Sequence, residues 1–527
     1  MNDSYLVLAR TENQACGIAQ YARAFLAGRW PLPDAAVLQR LALFHADSVA
    51  CGLAALAAGC PAPRILRAEA ATYPDPRGAI CFGDPRPVKP EKAVVANCAA
   101  VRELDANGTN FGYNPRTGAC RGEFGHNDFY PVVLAAAPRC GMDGRRALLA
   151  MLCLDEIRGR LAEVFALREH KIDHVLHGAI ASAAVYGALR GASIEAIESA
   201  IGLVVAHYVP FRAIRHGQQL SDSKGASAAL SAEMAVLAVE RALAGFRGPA
   251  DIFRNPQAPF CLFEPPARPG ESPFDLELAT HGSDFAIMGM HFKLGLYEHQ
   301  AAGAMAGLIR LLVEVPALAA DAQAIQQVRV LLYQPALDII ADPHKRDPRT
   351  RQSADHSLVY ILATLLRKAQ DAVHQGNWPR DEVAAWQRLM LLPEDYDEAA
   401  LFDPRTRQLM PRIQFAHGGA AYDAHYPDGL PASVTIVHEQ YGEYASGLVL
   451  YPPGHARWND PRLAELLETK FLQLAGRAVA DPARLRSRLL QMEAMQPDEI
   501  ASLYAFPLTL PKAATPEAAT PEAATAG

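Results

Sequence analysis

The sequence lacks closely spaced cysteines. None of its nine cysteines, an odd number, is separated from another by only two residues. This spacing argues against a zinc ribbon and against a disulfide framework. It also argues against an iron–sulfur cluster of the common kind, in which neighbouring cysteines supply the thiolates. The cysteines are scattered at positions 16, 51, 60, 81, 98, 120, 140, 153 and 261.

Long apolar runs and a strong net charge are also missing. No stretch of about 18 consecutive apolar residues occurs, so we expect no membrane span. The start, MNDSYLVLARTENQ, has neither the basic region nor the long apolar core of a secretory signal. A net charge of −7 over 527 residues is mild and gives no reason to expect nucleic acid or an anionic membrane as a partner. We therefore expect a cytoplasmic protein.

What is present favours helices and more than one domain. The chain exceeds the roughly 250–300 residues that one core usually organises, alanine is abundant, and β-branched residues are comparatively scarce. Ser193 is a good N-cap, because its hydroxyl can accept a hydrogen bond from a free backbone N–H. Helical periodicity or small-residue composition predicts helices over residues 35–60, 148–167, 180–191, 193–208 and 227–246.

The pattern changes after residue 250. Residues 250–280 are rich in Pro, Phe and Gly and form a candidate linker. Beyond them, residues 326–334 and 433–440 have β-branched, partly alternating sequences that predict strands, with helices predicted at 299–313 and 357–369. A final helix is predicted at 460–479, and the TPEAA repeats of the tail predict disorder. The fold class expected is an α+β multidomain protein.

A polar, glycine-punctuated segment precedes and includes EFGHNDFYP. A loop of almost thirty residues within a compact domain is either functional or disordered, and disordered segments are poor in aromatic residues. This one is rich in aromatic residues, so we interpret it as part of a site whose chemistry comes from Asp105, Thr109 and His126. The alternative is that the first two are turn residues and the third a satisfied loop histidine.

Histidines and cations gather in three further segments. KIDHVLHGAIAS contains His174 and His177 at a spacing that can share a helix face, but HxxH without HExxH is a weak metal motif, and we predict no metal. VPFRAIRHGQQLSDSKGAS and MGMHFKLGLYEHQAAG supply more cations. The first could be a solvated basic loop, and Lys293 could snorkel at the surface. The residues of these two segments are Arg212, Arg215, His216, Lys224, His291, Lys293 and His299.

Together these candidates are cationic or histidyl, with one carboxylate among them. Such a set suits binding a small polyanion and moving protons. Each charge pair at about 4 Å contributes roughly 4 kcal/mol at an effective dielectric of ~20, before desolvation is subtracted. Two or three such contacts could hold a tricarboxylate and stabilise charge that builds on it as a neighbouring carbon loses a proton.

The order of these pieces resembles the MmgE/PrpD family over most of the chain. LDANGTNFGYNP is similar to the family's Asp-x-x-x-Thr stretch, EFGHND to its Gly-His-Pro segment, and FRAIRHGQQLSDSKGASAA to its Arg-rich run ending in a lysine. MHFKLGLYEHQAA resembles the segment with Lys and His, and YPPGHARWNDPRLAELLETKF resembles the C-terminal Tyr-Pro-x-Gly-His motif. KIDHVLHGAIASAAVYGALRGASIEAIESAIG is similar to the family's helix pair.

The resemblance implies a lyase that dehydrates a small tricarboxylic hydroxy acid of the 2-methylcitrate type, without metal or other cofactor. It implies a large helical domain built from residues 1–272 and 445–510, a smaller inserted α+β domain at 273–444, a disordered tail at 511–527, and a homodimer. The catalytic residues implied are His126, Lys224, Asp105 and His174. The substrate-binding residues implied are Thr109, Arg215, His216, Lys293 and Tyr333.

The chain departs from the family pattern at the pocket. Asn127 and Asp128 stand where the family usually has Pro-Ser, NPRTGACRG is inserted before His126, and the usual proline after His216 is missing. Three alternatives stay open: a cis-aconitate decarboxylase, an epimerase or isomerase of a small dicarboxylate, and a helical binding protein without activity.

Overall fold

A computed structural model describes residues 4–122, 125–215 and 220–510, and of His126 it describes the backbone alone. Helices dominate and the sheets are small, which is an α+β fold. The helices of eight or more residues are Gln14–Leu26, Ala35–Ala57, Pro61–Ala70, Pro90–Arg102, Tyr130–Cys140, Gly144–Val164, Val175–Leu189, Ile194–His207, Ser223–Leu243, Ala302–Glu314, Leu358–His374, Glu382–Leu389, Leu463–Ala475 and Pro482–Leu490. The strands are Tyr5–Leu8, Pro74–Ala79, Thr109–Asn110, Tyr113–Asn114, Ala119–Cys120, Gly125–His126, Leu276–Ala279, Ile325–Leu332, Ile413–His417, Ala432–His438 and Gly442–Ala445.

The Val175–Leu189 helix forms the centre of the helical part. It is apolar all round, as expected of a helix with neighbours on every side. Its small residues allow close approach: a Cβ at Gly178 would come within 2.2 Å of the Phe129 ring. The helices packed around it are Gln14–Leu26, Tyr130–Cys140, Gly144–Val164, Ile194–His207 and Ser223–Leu243.

The five helices predicted in the first 250 residues are present, with ends shifted by a few residues. The Ile194–His207 helix has the predicted N-cap, since the Ser193 side chain accepts a hydrogen bond from Ala196 N at 3.1 Å. The polar segment was predicted to be a loop, but it also contains short strands. It contains two antiparallel ladders, Thr109–Asn110 with Gly125–His126 and Tyr113–Asn114 with Ala119–Cys120.

The four-stranded sheet occupies the second half of the chain. Its order is Gly442–Ala445, Ala432–His438, Ile325–Leu332 and Ile413–His417, and the last two strands are parallel. Val330 faces Val434 in the antiparallel pair at its centre. One face is buried, and the Ala302–Glu314 helix packs against the Ala432–His438 strand. Both strands and both helices predicted here are confirmed.

The segment predicted as a linker is packed into the structure instead. Strand Leu276–Ala279 pairs with the N-terminal strand Tyr5–Leu8. The buried Phe260 ring lies 4.6 Å from the ring of Phe253 and 4.9 Å from that of Phe165, measured between centroids. The proline and glycine content correctly indicated an irregular backbone in this segment. The aromatic rings nevertheless hold the segment in the core.

A helix late in the chain returns to the N-terminal half. Leu463–Ala475 packs along Ala35–Ala57. The latter is long and apolar enough to cross a membrane by length and composition, but 83% of its most apolar window is buried inside the protein, as in a core helix. The predicted domain boundaries and the homodimer stay predictions, and the tail at 511–527 lies outside the described residues.

Candidate active site

Backbone pairing sets the position of Thr109. Its Cα lies opposite that of His126 in the short ladder. On its other side Thr109 N donates to His291 O at 3.0 Å, and His291 N donates to Thr109 O at 2.8 Å. The polar segment is thereby joined to the chain that carries Lys293, two residues further on.

Asp105 lies in the turn that follows the Pro90–Arg102 helix. Its φ of 49° is left-handed, a conformation that Asp tolerates better than most residues. The C-terminal end of this helix packs beside the start of the Ser223–Leu243 helix, which carries Lys224. Gly225 permits the close approach, because a Cβ there would lie 2.4 Å from Glu103 Oε2. Helix packing therefore places Lys224 next to the Asp105 turn.

These elements border a cleft with an empty volume of about 650 Å³, its open mouth included. Of the described residues that line it, seven are Arg or Lys and only two are Asp or Glu. A cleft of this charge attracts small polyanions. The lining residues are Arg102, Asp105, Thr109, Arg168, Arg212, Arg215, Leu220, Lys224, Lys293, Glu298, His299, Gln300, Ile339, Lys345 and His356.

Asp105 is the centre of a buried ion cluster in this cleft. Its Oδ1 accepts from Arg102 Nη1 at 2.8 Å and from Lys293 Nζ in a very short contact. Its Oδ2 lies 3.4 Å from Lys224 Nζ. Burial alone would raise the pKa of Asp105, but Arg102 and the two lysines together hold it well below its usual range. Asp105 is therefore an ionised anchor for the two lysines.

Lys224 also binds a second acidic group, in the turn before the Leu358–His374 helix. Its Nζ lies 2.9 Å from Asp355 Oδ1 and 3.1 Å from His356 Nδ1. Burial, assisted by the Lys224 charge, lowers the pKa of His356 to about 4, so the imidazole is neutral. The two acids and His356 could chelate a metal by their mutual distances. The ammonium already contacts all three of them, which suits this donor set to a lysine.

Two more groups in the cleft have altered proton affinity. Burial lowers the pKa of Lys293, and Asp105 only partly offsets the effect. Burial also holds the pKa of His299 well below its usual range, with the nearby Lys293 charge adding to it. His299 is therefore a neutral imidazole, and Lys293 gives up its proton more readily than an exposed lysine does.

Five of the nine predicted site residues line this one cleft. They are Asp105, Thr109, Arg215, Lys224 and Lys293. His126 reaches the site's edge through its backbone pairing with Thr109, and its side chain lies outside the described part of the chain. His216 also lies outside the described residues.

The two remaining predicted residues are buried and are not among the described residues that line the cleft. The ring of His174 packs against Gly125, where a Cβ would come within 2.5 Å of it. Its neighbour Asp173 pairs with Arg215. Tyr333 is buried and stacked on Tyr426 with ring centroids 4.5 Å apart. Arg215 is thus held by Asp173, the residue before His174, and the roles predicted for His174 and Tyr333 stay predictions.

Sequence reasoning missed several residues that line the cleft, and Asp355, which contacts Lys224 beside it. Asp355 and His356 stand in SADHS, which matches no motif and carries no periodic signal. Arg102 reads as the last residue of a helix, and Lys345 as one charge among several in a polar run. The position of Arg102 three residues before the predicted site residue Asp105 is the one signal that could have indicated it.

Asn127 and Asp128, the two residues that depart from the family pattern, are buried and contact residues next to the site. Asn127 Nδ2 donates to Phe44 O at 2.7 Å and to Asp47 Oδ2 at 3.1 Å. Asp128 lies 3.9 Å from Arg102 Nε and 3.7 Å from Arg158 Nη1. Burial raises the pKa of Asp128, because these contacts are too long to compensate it fully. Asp128 therefore shares Arg102 with Asp105.

Comparison with known proteins identifies the family. Residues 17–266 match the MmgE/PrpD N-terminal domain, and residues 383–494 match the MmgE/PrpD C-terminal domain. The chain is 24% identical over 482 residues to the 2-methylcitrate dehydratase of Escherichia coli strain K12, covering 87% of this chain and 91% of that protein. It is also 24% identical over 484 residues to the 2-methylcitrate dehydratase of Salmonella typhimurium strain LT2, with the same coverage. With both domain models matched in order, the chain belongs to the MmgE/PrpD family.

Proposed function

We propose that this protein is a hydro-lyase that removes water from a small tricarboxylic hydroxy acid of the 2-methylcitrate type. The observation that carries the proposal is the convergence of Lys224 and Lys293 on Asp105 within a cleft lined mainly by cations. The names of the two bacterial relatives support the same reaction class.

The reaction needs a base, an acid and a sink for negative charge. The base removes a proton from the carbon next to a carboxylate, the electron pair of that C–H bond forms the new double bond, and the hydroxyl leaves with a proton as water. Lys293 and Arg215 bind carboxylates and stabilise the charge that develops during proton removal. His126 and Lys224 are the proposed proton-transfer groups, each worth roughly 10²–10⁴-fold in rate. Asp105, held ionised by three cations, orients the lysines.

The proposed mechanism uses side chains and no metal. The support is the donor set itself: Asp105, Asp355 and His356 surround the Lys224 ammonium, which supplies the positive charge that a metal would otherwise bring. A chelator should therefore leave turnover unchanged. Loss of activity with EDTA that returns on adding a divalent metal would overturn this part of the proposal.

Proton NMR of the purified protein with 2-methylcitrate, citrate and cis-aconitate tests the reaction class. Dehydration gives a new vinyl signal from a hydroxy acid. Formation of itaconate and CO₂ from cis-aconitate would replace the proposal with a decarboxylase. Deuterium exchange in D₂O without net loss of a dicarboxylate would indicate an epimerase, and line broadening alone would indicate a binding protein.

A further inference from the structure

Lys345 lines the same cleft but differs from the lysines around Asp105. It is the last residue of the short Pro343–Lys345 turn, and its ammonium donates to the Ile339 carbonyl, another lining group. Lys224 and Lys293 each have a carboxylate within contact distance. Within the described ranges, no Asp or Glu forms an ion pair with Lys345.

A partly buried ammonium without a directly paired carboxylate is unfavourable, because it has lost water without gaining an ion-pair partner. Burial lowers the pKa of Lys345, the charge of Glu298 acts against this, the Lys224 charge adds to it, and Asp342 and Asp355 offset a smaller part. The ammonium has three donors, and the Ile339 carbonyl takes one. The remaining donors are available to a ligand in the cleft.

Arg168, which lines the same cleft, can be compared with Lys345. It too has no ion pair with an acid in the part of the chain that the structure describes. Arg168 is exposed, so water satisfies its guanidinium. Lys345 is more enclosed, and its charge is better matched by an anion that enters the cleft.

We propose that Lys345 is a specificity-determining residue that binds a carboxylate of the substrate other than the one bound next to Asp105. The inference rests on the proposed function and adds to it the selection of tricarboxylates over dicarboxylates. Lys224 and Lys293 both contact Asp105, whereas Lys345 donates to the Ile339 carbonyl and pairs with no carboxylate in the described part of the chain. A ligand with one carboxylate fewer leaves Lys345 without its partner.

Isothermal titration calorimetry with two unreactive ligands tests the proposal. Tricarballylate carries three carboxylates and no hydroxyl, and glutarate carries two. Lys345→Met should raise the Kd of tricarballylate at least about tenfold, the loss of one charge-assisted hydrogen bond, and should change the Kd of glutarate less than about twofold. Lys345→Arg, which keeps the charge, should retain most of the tricarballylate affinity.

Arg346→Gln is the matched control. It removes one positive charge from the adjacent position, where the guanidinium lies over the Phe415 ring at 5.4 Å and does not line the cleft. This variant should bind both ligands like the wild type. Circular dichroism and thermal unfolding of each variant establish that the protein is folded, and Lys345→Gln replaces Lys345→Met if the latter is not.

The outcomes separate this inference from the proposed function. An unchanged tricarballylate Kd in the folded Lys345 variants, or an equal loss for both ligands, overturns the role of Lys345 and leaves a wild-type dehydratase activity untouched. A selective loss of tricarballylate binding, in a wild type that dehydrates no hydroxy acid, supports Lys345 and overturns the proposed reaction.

Discussion

The Nζ atom of Lys224 lies 2.9 Å from Oδ1 of Asp355, and both side chains are buried. Lys224 belongs to the N-terminal family domain, and Asp355 lies beyond it in the chain. One ammonium therefore connects the Asp105 turn to a segment 250 positions later in the sequence. Changes at Lys224 should affect both the stability of this junction and the chemistry proposed for it.

Lys224→Ala should lower turnover by at least about two orders of magnitude if Lys224 transfers a proton. It should also lower the free energy of unfolding by about 3–5 kcal/mol, because buried acids lose their cation. Steady-state assays by NMR and urea unfolding measure the two effects. Lys92→Ala is the control, since Lys92 forms ion pairs with Glu69 and Glu233 and does not line the cleft. Full activity in a folded Lys224→Ala protein would remove Lys224 from the mechanism.

His126→Ala should also lower turnover by at least about two orders of magnitude, as expected of a general acid or base. Its backbone is fixed by the ladder with Thr109, so the change should leave the fold intact. The exposed His207, changed to Gln, serves as the control. Equal rates for the two variants would show that the imidazole at 126 takes no part in proton transfer.

Lys470→Met tests whether Lys470 stabilises the turn that contains Asp105. Lys470 Nζ pairs with Asp47 and donates to the Ala106 carbonyl at 2.5 Å. Removing it leaves Asp47 buried without its cation, and unfolding free energy should fall by about 3–5 kcal/mol.

The double variant Lys470→Met/Asp47→Leu separates stability from positioning. Replacing both charges should restore most of the stability. Turnover should be low in both the single Lys470→Met variant and the double variant, because in each the Ala106 carbonyl next to Asp105 lacks its donor. Recovery of both quantities together would show that Lys470 acts on stability alone.

Stability should fall in mild acid because of buried neutral histidines. Burial lowers the pKa of His177 to about 3, against about 6.5 in an unfolded chain. The unfolded state therefore binds the proton between these values while the folded state does not, so stability is present above pH 6.5 and is lost as the pH falls toward 3. His177 alone should contribute a loss of about 2 kcal/mol between pH 7 and pH 5.

Urea unfolding of the wild type and His177→Leu at both pH values checks this. The variant should lose about 2 kcal/mol less than the wild type on acidification, whereas His207→Gln, an exposed position, should behave as the wild type does. An identical pH dependence in the wild type and His177→Leu would contradict the assignment.

The sequence predicted the elements whose side chains repeat with a regular period. Helices such as Ile194–His207 and strands such as Ile325–Leu332 bury one face or stripe. The apolar residues of that face recur at a regular spacing along the sequence, which makes these elements predictable. The two-residue strands around Thr109 are too short to show a period of two. The prediction of a linker at residues 250–280 was wrong. Proline and glycine indicate an irregular backbone, but they do not show that Phe253 and Phe260 pack against residues distant in the sequence.

The same distinction holds for the cleft. Motif resemblance identified Asp105, Lys224 and Lys293, which stand in segments with a recognisable order along the chain. Asp355 and His356 have no such neighbours, and only the packing of the second half of the chain brings them to Lys224. The contacts of Asp355 and His356 with Lys224 arise from the tertiary fold, and neither composition nor sequence spacing predicts them.

The contact from Lys470 to the Ala106 carbonyl also bears on biosynthesis. The lysine that anchors the Asp105 turn is translated 364 residues after Ala106. The helices of the first half can associate during translation, whereas the anchored form of the Asp105 turn must wait for the Leu463–Ala475 helix to dock.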